Sequence, residues 1–301
     1  MAINRAQLVK ELEPGLNALF GMEYSNYREE WKDIFETENS DRAFEEEVML
    51  SGFGEAGTKA EGAGVSYDSA QEVWTARYMH ETTALAFSLS EEAVEDNLYD
   101  KLSSRYTKAL ARSMSHTKNT KGAAILNNAF AAGVTYGDGQ SLCATHTLLN
   151  GSTVSNAPST ASDLNETALE NAVIDIAKFT DERGLKIAIN VKSLCIPTDL
   201  QFVAERVLNS TGRVATADND LNALSSTSAI PGGYKVNHFF TDPDAWFLLT
   251  DAPNGLKHMK RVGIKTGMEG DFESGNVRFK ARERYSFGVS DWRAIYGSAG
   301  A

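Results

Sequence analysis

Proline is absent between Pro14 and Pro158, and this gap constrains the fold more than any other feature of the sequence. Because proline breaks helix interiors and central strands, a span this long without it can hold long uninterrupted elements. Two such elements are predicted within it. One is an extended hairpin over about residues 44–88, and the other is a long helix that begins directly after the hairpin.

The hairpin is predicted from two arms joined by a tip rich in glycine. Residues 48–50 end the first arm, and residues 71–80 form the second, in which Trp74 and Tyr78 share a face. The tip, residues 51–64, is too small and too flexible to form a core. Since a two-stranded hairpin is only marginally stable alone, we expect residues 45–88 to project from the body and to lie on a neighbouring subunit.

The long helix is predicted to begin at a capping box in residues 88–91 and to end at Gly133. Apolar residues at helical spacing define the stripe that should be buried. These are Val94, Leu98, Leu102, Tyr106 and Leu110.

Helical spacing also marks the first 44 residues. Leu8, Leu12, Leu16 and Phe20 predict a short amphipathic helix near the N-terminus. Tyr27, Trp31 and Phe35 follow at the same spacing. A terminal segment has little surface of its own for these aromatic side chains to cover.

The second half of the sequence predicts an α/β segment followed by β strands. Helices are predicted at residues 165–183 and 199–208, and strands at 186–191, 234–241 and 245–249. Residues 210–233 are predicted to be a polar loop. The last strands are predicted at 256–265, 277–285 and 292–296.

Charge is distributed unevenly in this acidic chain, whose formal net charge is −12. Residues 1–50 carry 12 acidic and 5 basic side chains, whereas residues 255–301 carry 5 acidic and 9 basic ones. The net charge argues against a protein that grips nucleic acid electrostatically. The two segments are either solvated surfaces of opposite sign, or the acidic segment of one copy lies on the basic surface of another.

Neither a membrane span nor a signal peptide is predicted. The sequence has no run of about 18 apolar residues, and no apolar segment follows Met1. The two cysteines, Cys143 and Cys195, fit a reducing cytosol better than a disulfide framework.

Candidate chemical motifs are weak. Gly52, Gly54 and Gly57 spell the dinucleotide fingerprint, but further glycines follow where the fingerprint requires a helix. Cys143 and His146 have a metal-like spacing without a second clustered pair of ligands. No nucleophile elbow or phosphate-binding loop is present. We therefore expect no catalytic residue, no cofactor and no metal.

Several segments, in this order, resemble the major head proteins of tailed bacteriophages, and specifically the Mu-like major head subunit family. Each segment alone is weak, but their order covers nearly the whole chain. They are residues 50–54, 60–63, 67–70, 90–99, 123–130, 148–151, 156–159, 216–222, 237–247 and 291–297.

This resemblance implies an α+β fold of the Hong Kong ninety-seven capsid type. In its terms, residues 1–44 are an N-arm and residues 45–88 an extended loop. Residues 89–159 belong to a peripheral domain with its spine helix, which spans about residues 89–135. Residues 160–250 form an axial domain, and residues 251–301 return as β strands of the peripheral domain.

The function implied by the resemblance is structural. Copies of the chain would form hexamers and pentamers of an icosahedral head that encloses double-stranded DNA without sequence specificity. Expected partners are a portal and a separate scaffolding protein, because the chain has no room for a cleaved scaffolding segment; a decoration protein is left open. The protein would be assembled in the bacterial cytoplasm and located in the virion.

Contacts between copies are predicted at aromatic residues and at the hairpin tip. The predicted residues are Tyr27, Trp31, Phe35, Phe53, Lys59, Trp74 and Tyr78. No covalent cross-link through Lys59 is expected. Two alternatives stay open: an encapsulin-like shell, which would hold protein cargo and no DNA, and a soluble α/β enzyme that binds a nucleotide at Gly52–Gly57.

Overall fold

The computed structural model describes residues 5–90, 99–213, 220–271 and 275–301, and these form an α+β fold, as predicted. The α helices of this part are α1 Arg5–Asn26, α2 Tyr99–Asn127, α3 Glu166–Ala177, α4 Gln201–Asn209 and α5 Ala223–Thr227. The first six strands are β1 Glu36–Asn39, β2 Phe44–Leu50, β3 Glu72–Met79, β4 Glu81–Leu89, β5 Thr145–Thr147 and β6 Thr153–Ser155. The others are β7 Val191–Ile196, β8 Tyr234–Val236, β9 Trp246–Thr250, β10 Leu256–Gly270, β11 Val277–Val289 and β12 Ile295–Ser298.

The first sheet has the order β1-β10-β11-β4 and is built around the long antiparallel pair β10 and β11. From Val277 to Glu283, strand β11 alternates between a buried and an exposed face, since Phe279 and Ala281 are buried whereas Lys280 and Arg282 are exposed. Helices α1 and α2 cover the buried face, where Leu16 and other apolar side chains pack against Phe279. The predicted N-terminal helix is confirmed and extends to Asn26.

The second sheet has the order β12-β9-β7-β8 and forms the centre of the largest core cluster. All five residues of β9 are buried, as are all four of β12. Strand β12 pairs with β9, so the chain's last strand lies in the sheet of residues 191–250. The resemblance had implied that residues 251–301 return together to the other domain. Residues 295–298 do not, because their backbone pairs with β9 and all four residues are buried in this sheet.

The buried stripe of α2 differs from the predicted one. Of the predicted residues, Leu110 is buried, but Tyr106 is 48% exposed. Val94 and Leu98, with the capping box at Glu91, lie outside the described residues. The stripe is shifted because it includes polar side chains that have partners inside the fold, such as Lys118 and Asn119.

Several predicted boundaries in the α/β segment are wrong. Helix α3 starts where it was predicted, after the cap residue Asn165, whose side chain accepts from Ala168 N, but it ends at Ala177 and not at residue 183. The strand predicted at residues 186–191 begins only at Val191, because Ala188 has a left-handed backbone (φ 55°) that interrupts an extended chain. The predicted helix at residues 199–208 is confirmed as a 3-10 turn followed by α4. In the described part of the chain, no helix combines the length and apolar character that crossing a membrane requires.

Candidate assembly surfaces

The predicted hairpin is present, but it is shorter than predicted. Strands β2 and β3 pair antiparallel from Phe44 with Met79 to Leu50 with Glu72. After His80 the chain enters β4, which pairs with β11 along its whole length. Residues 81–89 therefore belong to the body, because their backbone hydrogen bonds complete the first sheet.

The root of the hairpin is fixed to the body by a polar chain. The Tyr78 hydroxyl donates to Ser290 Oγ at 2.5 Å, and Ser290 donates in turn to the Glu47 carboxylate. Lys257 Nζ contacts Glu47 Oε1 at 2.5 Å and Glu38 Oε1 at 2.9 Å. Burial raises the pKa of Tyr78 well above its ordinary value, so the phenol stays a donor. The expectation that the whole hairpin projects from the body is therefore wrong at this root.

The outward face and the tip of the hairpin are exposed. Apolar side chains of β2 and β3 that face away from the body are open to solvent, with exposed fractions between 40% and 69%. They are Phe44, Val48, Leu50 and Met79. The tip loop, defined here as residues 51–71, adds Phe53 at 62% and Tyr67 at 98%. An apolar surface of this kind marks an interaction site.

The seven predicted contact residues divide into two groups. Trp31, Phe35 and Tyr78 are buried within their own chain, which corrects their prediction as contact residues, because almost no surface is left for a neighbour. Phe53 and Lys59 are exposed, whereas Tyr27 and Trp74 are half-buried. Contacts of these four with another copy stay a prediction.

The sequence reasoning missed the residues on the other side of the same strands. It followed Trp74 and Tyr78, which face the body, where Trp74 Nε1 donates to Ser290 O at 3.1 Å. Strict alternation then places Phe44 and Met79 on the opposite, open face. The same alternation predicts Phe44 and Met79 as exposed once Trp74 and Tyr78 are assigned to the face that packs on the chain's own sheet.

The acidic N-terminal segment finds its basic partner in the same chain. Strand β1 pairs in parallel with the start of β10, placing Glu36 opposite Lys257. Glu38 and Glu47 both contact Lys257, as described above, and Glu36 lies 3.9 Å from Lys192. Part of the complementarity between these two segments, one alternative for which was a contact between copies, is therefore satisfied within one subunit.

Trp31 anchors the segment after α1 over a buried charged pair. Its ring lies 4.2 Å from the ring of His258, and Lys118 Nζ lies 4.8 Å above it. Lys118 forms a 3.1 Å ion pair with Glu283 of β11. Gly122 of α2 is required here, since a Cβ at that position would lie 2.9 Å from Trp31 Cβ.

His258 should make the subunit sensitive to acid. Burial, with Lys118, Lys260 and Lys32 nearby, lowers the pKa of His258 to about 3, from 6.5. Between these values the unfolded chain binds the proton and the folded chain does not. Stability that is present above pH 6.5 is therefore lost as the pH falls toward 3, by up to about 1.4 kcal/mol per pH unit.

Replacing His258 with phenylalanine should flatten this pH dependence, because the aromatic packing remains and the titrating group is gone. Urea unfolding of the unassembled subunit at several pH values between 4 and 7 measures the slope. The matched control is His116→Phe, since His116 is exposed on α2. A slope that His258→Phe leaves unchanged would exclude His258 as its source.

Two of the segments that carried the resemblance, residues 156–159 and 291–297, meet in one buried junction. Asn156 is fully buried, and its amide donates to the carbonyls of Leu142, Trp292 and Ile295 at 2.7–3.2 Å. Its Oδ1 accepts from Ala144 N at 2.9 Å. This side chain therefore joins the loop before β5 to the start of β12.

Arg293 fixes the same junction through charge. Its guanidinium contacts Glu182 Oε1 at 2.5 Å and Asp291 Oδ1 at 3.2 Å, and all three side chains are almost fully buried. It also donates to Thr180 O at 2.9 Å. His146 stacks on Trp292 with ring centroids 4.2 Å apart. The junction is a structural lock rather than an open site.

The weak chemical motifs remain without supporting geometry. Residues 58–71, all of which the structure describes, contain no helix, so the backbone after Gly57 lacks the helix N-terminus that would hold a pyrophosphate. Cys143 is buried, and burial raises its pKa far above the ordinary value, which disfavours the thiolate a metal needs. Within the described ranges, no group of three or more His, Cys, Asp or Glu could hold a metal ion.

Comparison with known proteins gives one family and one fold. The model of the family described as phage capsid protein matches residues 75–298. No curated protein matches the chain.

Solved structures with the same fold cover most of the chain. The capsid of a native GTA particle is 16% identical, with a TM-score of 0.53, and the match covers 91% of this chain and 90% of that one. The procapsid protein of bacteriophage JBD30 is 13% identical, with a TM-score of 0.53 and coverage of 97% and 75%. A virus-like particle from Pyrococcus furiosus is 12% identical, with a TM-score of 0.51 and coverage of 94% and 97%. Identities this low show the fold alone.

Proposed function

Because this chain belongs to the phage capsid protein family, we propose that it is the major capsid subunit of a tailed bacteriophage and closes with its copies into an icosahedral head. The family match supports a shell protein. That the chain belongs to the Mu-like group of head proteins stays a prediction. The observation that carries the proposal to this chain's own surface is the hairpin. Its outward face exposes Phe44, Leu50 and Met79, which a soluble monomer has no reason to keep in water.

The hairpin supports assembly because it combines a fixed root with a compliant tip. The polar chain at Tyr78, Ser290 and Glu47 holds the root, whereas the tip loop contains no helix or strand. A tip of this kind adapts to neighbours whose positions differ between hexamers and pentamers. Many modest contacts of this type become strong together in a closed shell.

Other parts of the proposal follow from the role of a head subunit. The contacts are structural, and we propose no reaction and no cofactor for the chain. The partners are other copies, a separate scaffolding protein and a portal, and the shell encloses double-stranded DNA without reading its sequence. Assembly takes place in the cytoplasm of the bacterial host. Residues 44–79 serve as the extended loop, and α2 serves as the spine helix.

Removing the tip loop should abolish shells without unfolding the subunit. Ser51 N donates to Gln71 O at 2.9 Å, so Asn-Gly in place of residues 52–70 closes the hairpin with a two-residue turn. The free energy of unfolding should change by less than about 1 kcal/mol, since loop length affects stability weakly. Electron microscopy and urea unfolding measure the two effects.

The double variant Phe53→Ser/Tyr67→Ser is the matched comparison for this deletion, because it separates the effect of the apolar side chains from the effect of loop length. It keeps the loop length and removes two exposed apolar side chains, and we expect fewer shells with it. Closed shells of normal size and yield from the deletion variant would show that the loop is dispensable.

The encapsulin-like alternative is less supported, because the matching family is that of phage capsid proteins. The likeness in fold to a virus-like particle from Pyrococcus furiosus is the observation that favours this alternative. Nuclease-protected double-stranded DNA in particles purified from a phage lysate supports the head. Particles that hold protein cargo and no DNA would support the alternative.

A further inference from the structure

The tip loop is held on its own subunit by one side chain. Arg183 Nη2 donates to Ser69 O at 2.7 Å and to Asp68 Oδ1 at 3.3 Å. In the described part of the chain, these are the hydrogen bonds that join residues 52–70 to the body. The loop's other hydrogen bonds, among the described residues, lie within the hairpin itself.

A hydrogen bond between Gly54 and Asp68 closes the base of the loop, here called the neck, beside Arg183. Asp68 Oδ2 accepts from Gly54 N at 2.7 Å, and Asp68 Oδ1 accepts from Ser69 N at 2.8 Å. Asp68 therefore joins the two sides of the loop across 14 residues of chain. Arg183 binds this neck next to Tyr67, the most exposed apolar side chain of the loop.

Arg183 lies in a turn that is fixed by the side chain of Asp181 and by the ion pair of the adjacent Glu182. Asp181 Oδ1 accepts from the backbone N–H groups of Arg183 and Leu185, which fixes the turn. The adjacent Glu182 is held by the buried guanidinium of Arg293. Gly184 completes the turn with a φ of 89°, a left-handed conformation that favours glycine.

Three contacts, which fix either the hairpin or the turn that carries Arg183, differ in burial. The Glu182–Arg293 pair is buried, and the contacts of Tyr78 and Glu47 at the root are largely buried. The Arg183–Asp68 pair is exposed, with 29% and 47% of the side chains accessible. Exposed pairs are weak and are screened by salt, so this contact opens before the other two.

We propose that Arg183 is a releasable clasp that holds the tip loop against its own subunit and opens when the loop docks on a neighbouring copy. Arg183 is thus a positioning residue for the hairpin. The docking step rests on the proposed function, whereas the closed clasp is a property of the unassembled subunit.

Spin labels on Thr58→Cys and Asn171→Cys test the clasp by distance measurement in the full unassembled chain. Both native cysteines are buried, and the two labelled positions are exposed. Arg183→Gln should raise the population with a displaced loop about two- to fivefold, the effect of losing one exposed ion pair. Arg183→Lys should restore part of the closed population, and Arg206→Gln, at an exposed position of α4, should change nothing.

Salt provides an independent check on the same labels. Raising NaCl from about 0.1 M to about 1 M shortens the Debye length from about 10 Å to 3 Å, which should open the clasp in the parent chain. Arg183→Gln should no longer respond to salt. Identical distance distributions in the parent chain and Arg183→Gln would overturn the proposal.

Assembly gives the second readout. If the open loop is the docking form, Arg183→Gln should lower the subunit concentration at which shells appear, by up to the same two- to fivefold factor. A higher threshold would overturn the release step. Shells that never form from any variant, together with a distance change, would contradict the proposed function and leave the clasp standing.

Discussion

Replacing Asn156 with leucine should lower the free energy of unfolding by roughly 3–5 kcal/mol, because each buried polar group left without a partner costs about 1–3 kcal/mol. Asn156 is fully buried, and its side-chain N–H groups donate to the carbonyls of Leu142, Trp292 and Ile295. Its Oδ1 accepts from Ala144 N. Leucine has a similar volume, so the loss measures hydrogen bonding and not a cavity.

Urea unfolding of the unassembled subunit gives the measurement. Asn171→Leu is the matched control, since Asn171 is an exposed asparagine of α3. The control should change stability by less than about 0.5 kcal/mol, as surface substitutions do. A loss below about 1 kcal/mol for Asn156→Leu would mean that the carbonyls find other partners, and the junction would not act as a lock.

Arg293→Met should cost a comparable amount, about 3–5 kcal/mol, because it leaves buried carboxylates without their counter-charge. Glu182 lies 2.5 Å and Asp291 3.2 Å from the guanidinium, and both carboxylates are buried. Burial already raises the pKa of Asp291, and Arg293 counteracts that shift. Loss of the guanidinium should raise the pKa of Asp291 further.

The pH dependence of this variant distinguishes a lost charge from lost packing. A carboxyl whose folded pKa is raised binds more protons in the folded state than in the unfolded one, so its stability increases as the pH falls. The deficit of Arg293→Met relative to the parent chain should therefore be smaller near pH 5 than near pH 8. The double variant Arg293→Met/Glu182→Met should recover part of the loss. A deficit that does not change with pH would contradict an electrostatic origin.

The helices and strands of this fold were easier to predict from the sequence than which of their faces are buried. The hairpin and the long helix follow from local signals, namely alternation, helical spacing and the absence of proline between Pro14 and Pro158. The faces of these elements depend on contacts between distant residues. Lys118 is buried in α2 because Glu283 lies opposite it, 165 positions further along the chain.

The surface proposed for assembly shows the same limit. Trp31, Phe35 and Tyr78 stood out as large aromatic residues in segments without a core of their own. The fold brings β10 and β11 beneath them, so they are core residues. Leu50, Met79 and Tyr67 are less conspicuous in the sequence, and they are exposed because no element within the described ranges covers them.

Electron microscopy of the purified protein, expressed alone and together with the scaffolding protein of its phage, tests the central claim most directly. We expect closed icosahedral shells in at least one of the two preparations, with the hairpin of each subunit lying on an adjacent subunit. A protein that stays monomeric at high concentration in both preparations would contradict the assignment as a head subunit.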